Sequence, residues 1–215
     1  MLTKCSKEHR DLFVQEINPG AETLERLDAY EAVLTQWQAR VNLVGDSTLP
    51  ALWSRHFLDS AQIYRHLPAS AQALTDIGSG GGFPGMVLAI LTSMSGGPTV
   101  TLIESNGRKA EFLREANRIC AAGAKIMNVR VEGAPILPAD VVTARACAPL
   151  IRLLPWVYRC LRADGVALLS KGLSWRDELT TAEKHWNMGL AEIPSVTDTS
   201  GVILKLEGLN PNWLK

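Results

Sequence analysis

Between Asp76 and Gly85 the chain reads Asp-Ile-Gly-Ser-Gly-Gly-Gly-Phe-Pro-Gly, with five glycines in eight residues directly after a short apolar run. Gly78, Gly80 and Gly82 alternate ahead of Pro84, a residue suited to a first helical turn because its missing N–H costs nothing there. Strand, glycine turn and helix bring bare backbone close to a ligand, and the helix start adds free N–H groups and positive dipole. The plain alternative is a tight turn with no ligand, which so dense a run of glycines disfavours.

Two familiar phosphate loops do not fit. A dinucleotide loop, G-x-G-x-x-G, needs its third glycine at position 83, where Phe83 stands. A Walker A loop ends in Gly-Lys-Ser/Thr, and Gly85-Met86-Val87 offers no lysine. The ligand left is nucleotide-like, with the methyl donor S-adenosylmethionine ahead of NAD. Glu104 ends the next apolar run, where doubly wound folds place an acid against ribose hydroxyls; a plain surface acid is its bland reading. Glu132 closes a third run, where a carboxylate meets an adenine amino group and a neighbouring N–H a ring nitrogen. A solvent-exposed strand end is the alternative.

These residues need elements to carry them. From Ala21 to Val41 the apolar positions Leu24, Leu27, Tyr30, Leu34, Trp37 and Val41 form the stripe of an amphipathic helix. A second helical stretch is predicted over Leu49–Leu67, ending before Pro68. After Pro68, β-type runs at Ala73–Ile77, Val100–Glu104, Lys125–Glu132, Asp140–Ala146 and Gly165–Lys171 alternate with helical patterns at Pro84–Ser95, Gly107–Ala122, Pro149–Leu161 and Ser174–Trp186. Such alternation implies βαβ units and a parallel sheet. Leu190–Val196 and Gly201–Glu207 are separated by too few residues for a crossover helix and should form a hairpin.

The expectation is therefore an α/β, Rossmann-like S-adenosylmethionine methyltransferase fold. Its seven-stranded, mostly parallel sheet ends in a C-terminal antiparallel hairpin. Residues 1–70 form a helical arm packed on a methyltransferase domain of residues 71–215. The likeness to that fold is an analogy of architecture.

Lys plus Arg and Asp plus Glu both total 22, so overall charge does not mark a nucleic-acid binder, and any RNA-binding face must come from local clustering. Cys5, Cys120, Cys147 and Cys160 form no CxxC pair and no metal-ligand spacing, which points to reduced thiols, no metal and a cytoplasmic protein. Met1–Arg10 lacks the apolar core of a secretory signal. The longest apolar run, Met86–Leu91, is far short of the roughly 20 residues of a membrane span, so no membrane partner is expected.

Further segments carry a resemblance: Arg55-His56-Phe57-Leu58-Asp59-Ser60, Gly82-Phe83-Pro84-Gly85, Glu104-Ser105-Asn106-Gly107-Arg108-Lys109, Arg145-Ala146 and Lys171-Gly172. Each is short, and their order and spacing together make the match specific from about Trp37 to Lys205. The chain resembles the glucose-inhibited division protein B family, bacterial methyltransferases that modify N7 of a guanine in the decoding-region loop of 16S rRNA. By that resemblance Gly78, Phe83, Val131, Glu132 and Arg145 occupy cofactor-contact positions. Asp76, Gly80, Gly82 and Glu104 follow the general methyltransferase pattern. The implied partner is 16S rRNA or a 30S particle, met by a monomer.

The chain departs from the family at Cys147, where phenylalanine usually follows Arg-Ala. Apolar packing explains it; the sharper alternative is the cysteine nucleophile of pyrimidine C5 methylation, whose motif places proline directly before the cysteine. Here Ala146 precedes it. Amine methylation uses an Asp/Asn-Pro-Pro-aromatic run, and Ala144-Arg145-Ala146-Cys147 stands in its place.

Guanine N7 has an in-plane lone pair and no proton, so no catalytic acid or base is named; alignment is the task. The base must be unpaired or flipped. Candidate RNA contacts are Arg55, His56, Arg108, Lys109, Arg145 and Lys171. Arg55 has a bland reading as an i,i+4 ion pair with Asp59, His56 as a satisfied core histidine, and Lys171 as a side chain snorkelling to solvent. A small-molecule methyltransferase with the arm as lid, and a non-catalytic ribosome-assembly factor, stay open as rivals.

Overall fold

Seven strands form one sheet in the order β3-β2-β1-β4-β5-β7-β6 in the computed structural model, which describes residues 4–135 and 138–214. The strands are β1 Ala73–Ile77, β2 Thr99–Ile103, β3 Lys125–Met127, β4 Ala139–Arg145, β5 Leu161–Lys171, β6 Trp186–Pro194 and β7 Val202–Pro211. β1 to β5 run parallel, and β7 lies antiparallel to both β5 and β6. This is the expected parallel sheet closed by a hairpin. β1 lies between β2 and β4, so chain direction across the sheet reverses at its carboxyl end, where open α/β sheets bind ligands.

The helices are α1 Lys4–Ile17, α2 Ala21–Gln38, α3 Asp59–Ala61, α4 Gly85–Ser95, α5 Gly107–Cys120, α6 Leu150–Cys160 and α7 Trp175–Glu183. The sequence stripe of α2 is real: Leu27, Tyr30 and Leu34 are fully buried. The helix stops at Gln38, so Val41 lies in the following loop. α1 has no comparable stripe in the sequence, because among its described side chains only Phe13 is fully buried, against Trp53 at a centroid distance of 5.2 Å.

The predicted single helix over Leu49–Leu67 is instead a chain of tight and wide turns. A 3-10 stretch, Asp46–Ala51, leads into a π stretch, Trp53–Leu58, then α3 and a 3-10 stretch, Gln62–His66. Pro50 lacks an N–H for a regular ladder, and the widened turn lets Trp53, His56, Phe57 and Leu58 all face inward. β3 ends at Met127, short of the predicted Glu132, because the Asn128 side chain donates to the carbonyls of Glu104 and Ser105 and the backbone turns away.

One apolar cluster joins Leu27, Tyr30, Trp53 and Phe57 of the arm to Leu74, Val87, Leu102 and Phe112 around the sheet. A second cluster fills the other face beneath α6 and α7. No described helix is long and apolar enough to cross a membrane. Because the arm and sheet share a core, Trp53→Ala should lower stability by about 3–5 kcal/mol within one cooperative urea transition. A separate low-urea transition for the arm would contradict the shared core.

Candidate functional site

At the end of β1 the glycine loop is held from the arm side. A Cβ on Gly82, at φ +85°, would strike the Tyr30 hydroxyl. That hydroxyl donates to the Gly81 carbonyl. Tyr30 in turn stacks on Phe57 at 5.4 Å and lies 5.6 Å from the Phe83 ring. Gly80, at φ +55°, is different: a Cβ there meets only the Gly78 carbonyl at 3.8 Å, so this stretch of backbone faces open space.

One carboxylate braces the loop and a second lies buried beneath it. Glu104, just past β2, accepts from the Gly80 N–H at 2.8 Å and the Asn106 N–H at 2.7 Å. Asp76 is fully buried and accepts from the Thr143 hydroxyl at 2.8 Å, while its Oδ2 has no hydrogen-bond partner. Burial pushes the Asp76 carboxyl up to about 6, with the Thr143 hydroxyl among the groups that oppose the rise. Val131 is buried in a 3-10 turn, Val131–Gly133, and Glu132 on the same turn is exposed.

Arg145, the last residue of β4, ties the arm to the sheet. Its guanidinium donates to Asp59 at 2.9 Å, to the Arg55 carbonyl at 3.1 Å and to His56 Nδ1 at 2.7 Å. It also lies 5.0 Å from the centre of the Phe83 ring. A guanidinium only donates, so His56 Nδ1 accepts, its proton sits on Nε2, and Nε2 donates to the Thr48 hydroxyl at 2.7 Å. Burial, then the charges of Arg145 and Arg55, push His56 down to about 3. Its imidazole is neutral at physiological pH.

The i,i+4 ion pair with Asp59, the bland alternative for Arg55, does not form. Asp59 is taken by Arg145, by Gln62 at 3.0 Å and by the Thr197 hydroxyl at 2.7 Å. Arg55 reaches instead across to Asp198 on the β6–β7 turn, at 3.5 Å. Lys171 does not snorkel: its ammonium donates to the Ala148 carbonyl at 2.7 Å and pairs with Glu178 at 2.8 Å. Glu178 also accepts from the Leu150 N–H at 2.7 Å, which fixes the loop after β4.

A cavity of about 610 Å³ opens over the carboxyl ends of β4 and β5, bounded by Arg55, His56, Asp59, Arg145, Cys147 and Lys171. Cys147 packs among apolar neighbours with its sulfur filling the space beside Gly78, and burial pushes its thiol up, as expected of a packing residue. Cys120, Cys147 and Cys160 are free thiols, and the Cys5 side chain falls outside the described residues. Thus the structure brings Arg55, His56, Arg145 and Lys171 to one cavity. It leaves Arg108 and Lys109 apart, at the start of α5. Asp59, Thr197 and Glu178 join the site without having been expected there. Asp59 stands in plain view within Arg55–Ser60, and only its partner differs from the one its spacing suggests.

Residues 23–204 match the family described as rRNA small subunit methyltransferase G (GidB). The chain is 50% identical over 194 residues to the ribosomal RNA small subunit methyltransferase G of Rhodospirillum centenum, covering 90% of this chain and 88% of the relative. It is 49% identical over 185 residues to the protein of the same name from Paramagnetospirillum magneticum, covering 86% and 88%. The chain belongs to this family.

Its fold is shared with distant methyltransferases of known structure. A ribosomal protein L11 methylase from Lactobacillus delbrueckii subsp. bulgaricus superposes with a TM-score of 0.55 at 16% identity, over 70% of this chain and 76% of that one. A T. thermophilus 16S rRNA N2 G1207 methyltransferase in complex with AdoMet and guanosine gives 0.50 at 14% identity, over 69% and 38%. S-adenosylmethionine is the cofactor of this family member. The residues fit it: open backbone at Gly80, a carboxylate at the end of β2, and a buried, partnerless Asp76 oxygen beneath the glycine loop, a negative charge suited to a cationic sulfonium compound. Among the described residues no group of His, Cys, Asp or Glu is arranged to hold a metal.

Asp76 gives a signed prediction. Its folded-state value lies above the ordinary one, so its contribution to stability is most favourable below about pH 4 and declines toward pH 6. It is constant above that. Asp76→Asn should therefore make the ligand-free enzyme more stable at pH 7.5, by about 1–3 kcal/mol, while weakening S-adenosylmethionine binding. A less stable variant with unchanged affinity in calorimetry would contradict this role.

Proposed function

We propose that this enzyme transfers a methyl group to N7 of a guanine in the decoding-region loop of small-subunit ribosomal RNA. One observation carries the choice of atom: the cavity beside the donor loop holds no available base. His56 has both ring nitrogens engaged, the Cys147 thiol is raised by burial, and the three lining carboxylates are all taken, Asp59 by Arg145 and Thr197, Glu178 by Lys171 and the Leu150 N–H, and Asp198 by Arg55 and Ser200. An exocyclic amine must shed a proton, and a pyrimidine C5 needs a thiolate nucleophile. Guanine N7 needs neither. The RNA class is supported by kinship with the proteins named above, and the decoding-region site is what the sequence resemblance implies.

S-adenosylmethionine, when bound, supplies a sulfonium methyl carbon open to in-line attack. The chain's part is to position. Gly78, Gly80, Gly82, Phe83, Glu104, Val131, Glu132 and Arg145 form the donor site. Asp76 acts from beneath it as a buried counter-charge rather than by contact. Arg145 walls the acceptor cavity while lying over Phe83 of the donor loop, so one guanidinium fixes the distance between the two sites. His56 and Lys171 hold the cavity's shape. Arg55, half-exposed at its mouth, contacts RNA phosphate, with Arg108 and Lys109 as further RNA contacts. Holding nucleophile, carbon and leaving sulfur in line is worth on the order of 7–11 kcal/mol in well-oriented reactions.

Small-subunit RNA or 30S particles from cells lacking this protein should accept labelled methyl from the purified enzyme. The mass-mapped product should be N7-methylguanine, with a rate free of any histidine limb between pH 6 and 8. Methyl transfer to an exocyclic nitrogen, to a pyrimidine or to no RNA would overturn the reading.

A further inference from the structure

A second cavity, of about 530 Å³, lies between the arm loop 40–45 and the start of α5. Arg40 and Asn42 line it from the arm, Arg108 and Lys109 from α5, and none of its lining residues is acidic. Among the described residues no carboxylate pairs with Arg40, Arg108 or Lys109, so the charge of all three is open to a ligand. In a chain whose formal charges balance at 22 against 22, this is a local concentration of positive charge.

Both walls are fixed in place. The Gln38 carboxamide accepts from the N–H groups of Leu43 and Val44 and donates to the Val44 carbonyl, which pins the arm loop. On the other wall the Asn106 side chain caps α5 by accepting from the N–H groups of Arg108 and Lys109. With those N–H groups already satisfied, the charge of the cleft comes from side chains. The donor does not account for three cations, since it carries a single carboxylate against a sulfonium and an ammonium and is positive overall.

We infer that this cleft holds backbone phosphates of the RNA substrate through Arg40, Arg108 and Lys109, which makes the arm loop part of the RNA-binding surface. The inference rests on the RNA reading above and adds a second anchoring point to it. The order β2-β1-β4 places the cleft, at the end of β2, and the acceptor cavity, at the ends of β4 and β5, on opposite flanks of the glycine loop. Neighbouring strands lie about 4.8 Å apart, so β2 and β4 end about 10 Å from each other. That span is within reach of the nucleotides flanking one flipped base. A substrate gripped on both flanks is held across the methyl donor, and its target base is kept over β4 by phosphates that carry no sequence information themselves.

The test uses the full-length enzyme and small-subunit RNA from cells lacking it. Arg40→Ala alone should raise the KM for RNA severalfold, and Arg40→Ala/Arg108→Ala/Lys109→Ala should raise it at least tenfold. For the triple variant the dependence of log affinity on log salt should become shallower by about 2, near 0.7 for each single-strand phosphate no longer neutralised. S-adenosylmethionine affinity by calorimetry should match wild type in every variant. Arg118→Ala removes an exposed charge from the far end of α5 and should leave the RNA KM unchanged. A triple variant with wild-type KM and salt slope overturns the cleft, as does an equal loss in Arg118→Ala. Weakened donor binding overturns it too, by assigning the cleft to the cofactor. A wild-type enzyme that methylates no RNA fails at the earlier step, and the functional reading falls with the cleft.

Discussion

The arrangement depends on one part-buried ion pair. Arg145 at the tip of β4 and Asp59 in the arm meet at 2.9 Å across 86 residues of sequence, with about a sixth of each side chain exposed. A guanidinium offers five donors in a rigid plane, and here that plane serves four neighbours: a carboxylate, an imidazole, a backbone carbonyl and the face of Phe83. Removing one member of a buried pair typically costs 3–5 kcal/mol, because the survivor keeps its desolvation penalty. Such a site is expensive to build and hard to rearrange, which suits the proposed transfer to N7, where alignment is the task.

The same pair explains why the arm is bound to the sheet by more than apolar contact. Tyr30 fixes the glycine loop through Gly81, and Asp59 fixes β4 through Arg145 and the β6–β7 turn through Thr197. The arm braces the donor loop through Tyr30 and supplies Thr48, Arg55, His56, Asp59 and Gln62 to the wall of the cavity. Cutting the chain near residue 70 would therefore take a brace from the one and a wall from the other. The neutral His56 adds to this order: with its proton confined to Nε2, the Thr48–His56–Arg145 chain has one direction of donation.

The glycine loop is legible in the sequence because its constraint is local: strand, turn and helix impose backbone angles that glycine meets most easily. The strands of the sheet are legible as apolar runs separated by turn residues. What escapes is set by distant partners. Arg55 looks like the natural mate of Asp59 at i,i+4, yet Arg145 takes that carboxylate because β4 delivers a better-oriented fork from across the fold. Helical register already places Leu52, Trp53, His56, Phe57 and Ser60 on one face, and all five are buried; the π stretch at Trp53–Leu58 adds Leu58 to them, which regular periodicity does not show. Asp76 reads as a ligand contact at a strand end, and only the packed fold shows that nothing of its side chain reaches the surface.

In the proposed enzyme the geometry of the Arg145 fork, and not its charge, joins donor and acceptor sites. Calorimetric titration of S-adenosylmethionine into Arg145→Lys tests it most directly, since lysine keeps the charge but loses the plane and the paired donors. The account predicts affinity reduced about tenfold or more, a loss of roughly 1.4 kcal/mol, in a variant whose circular dichroism matches wild type. Wild-type affinity in a folded Arg145→Lys enzyme would contradict it.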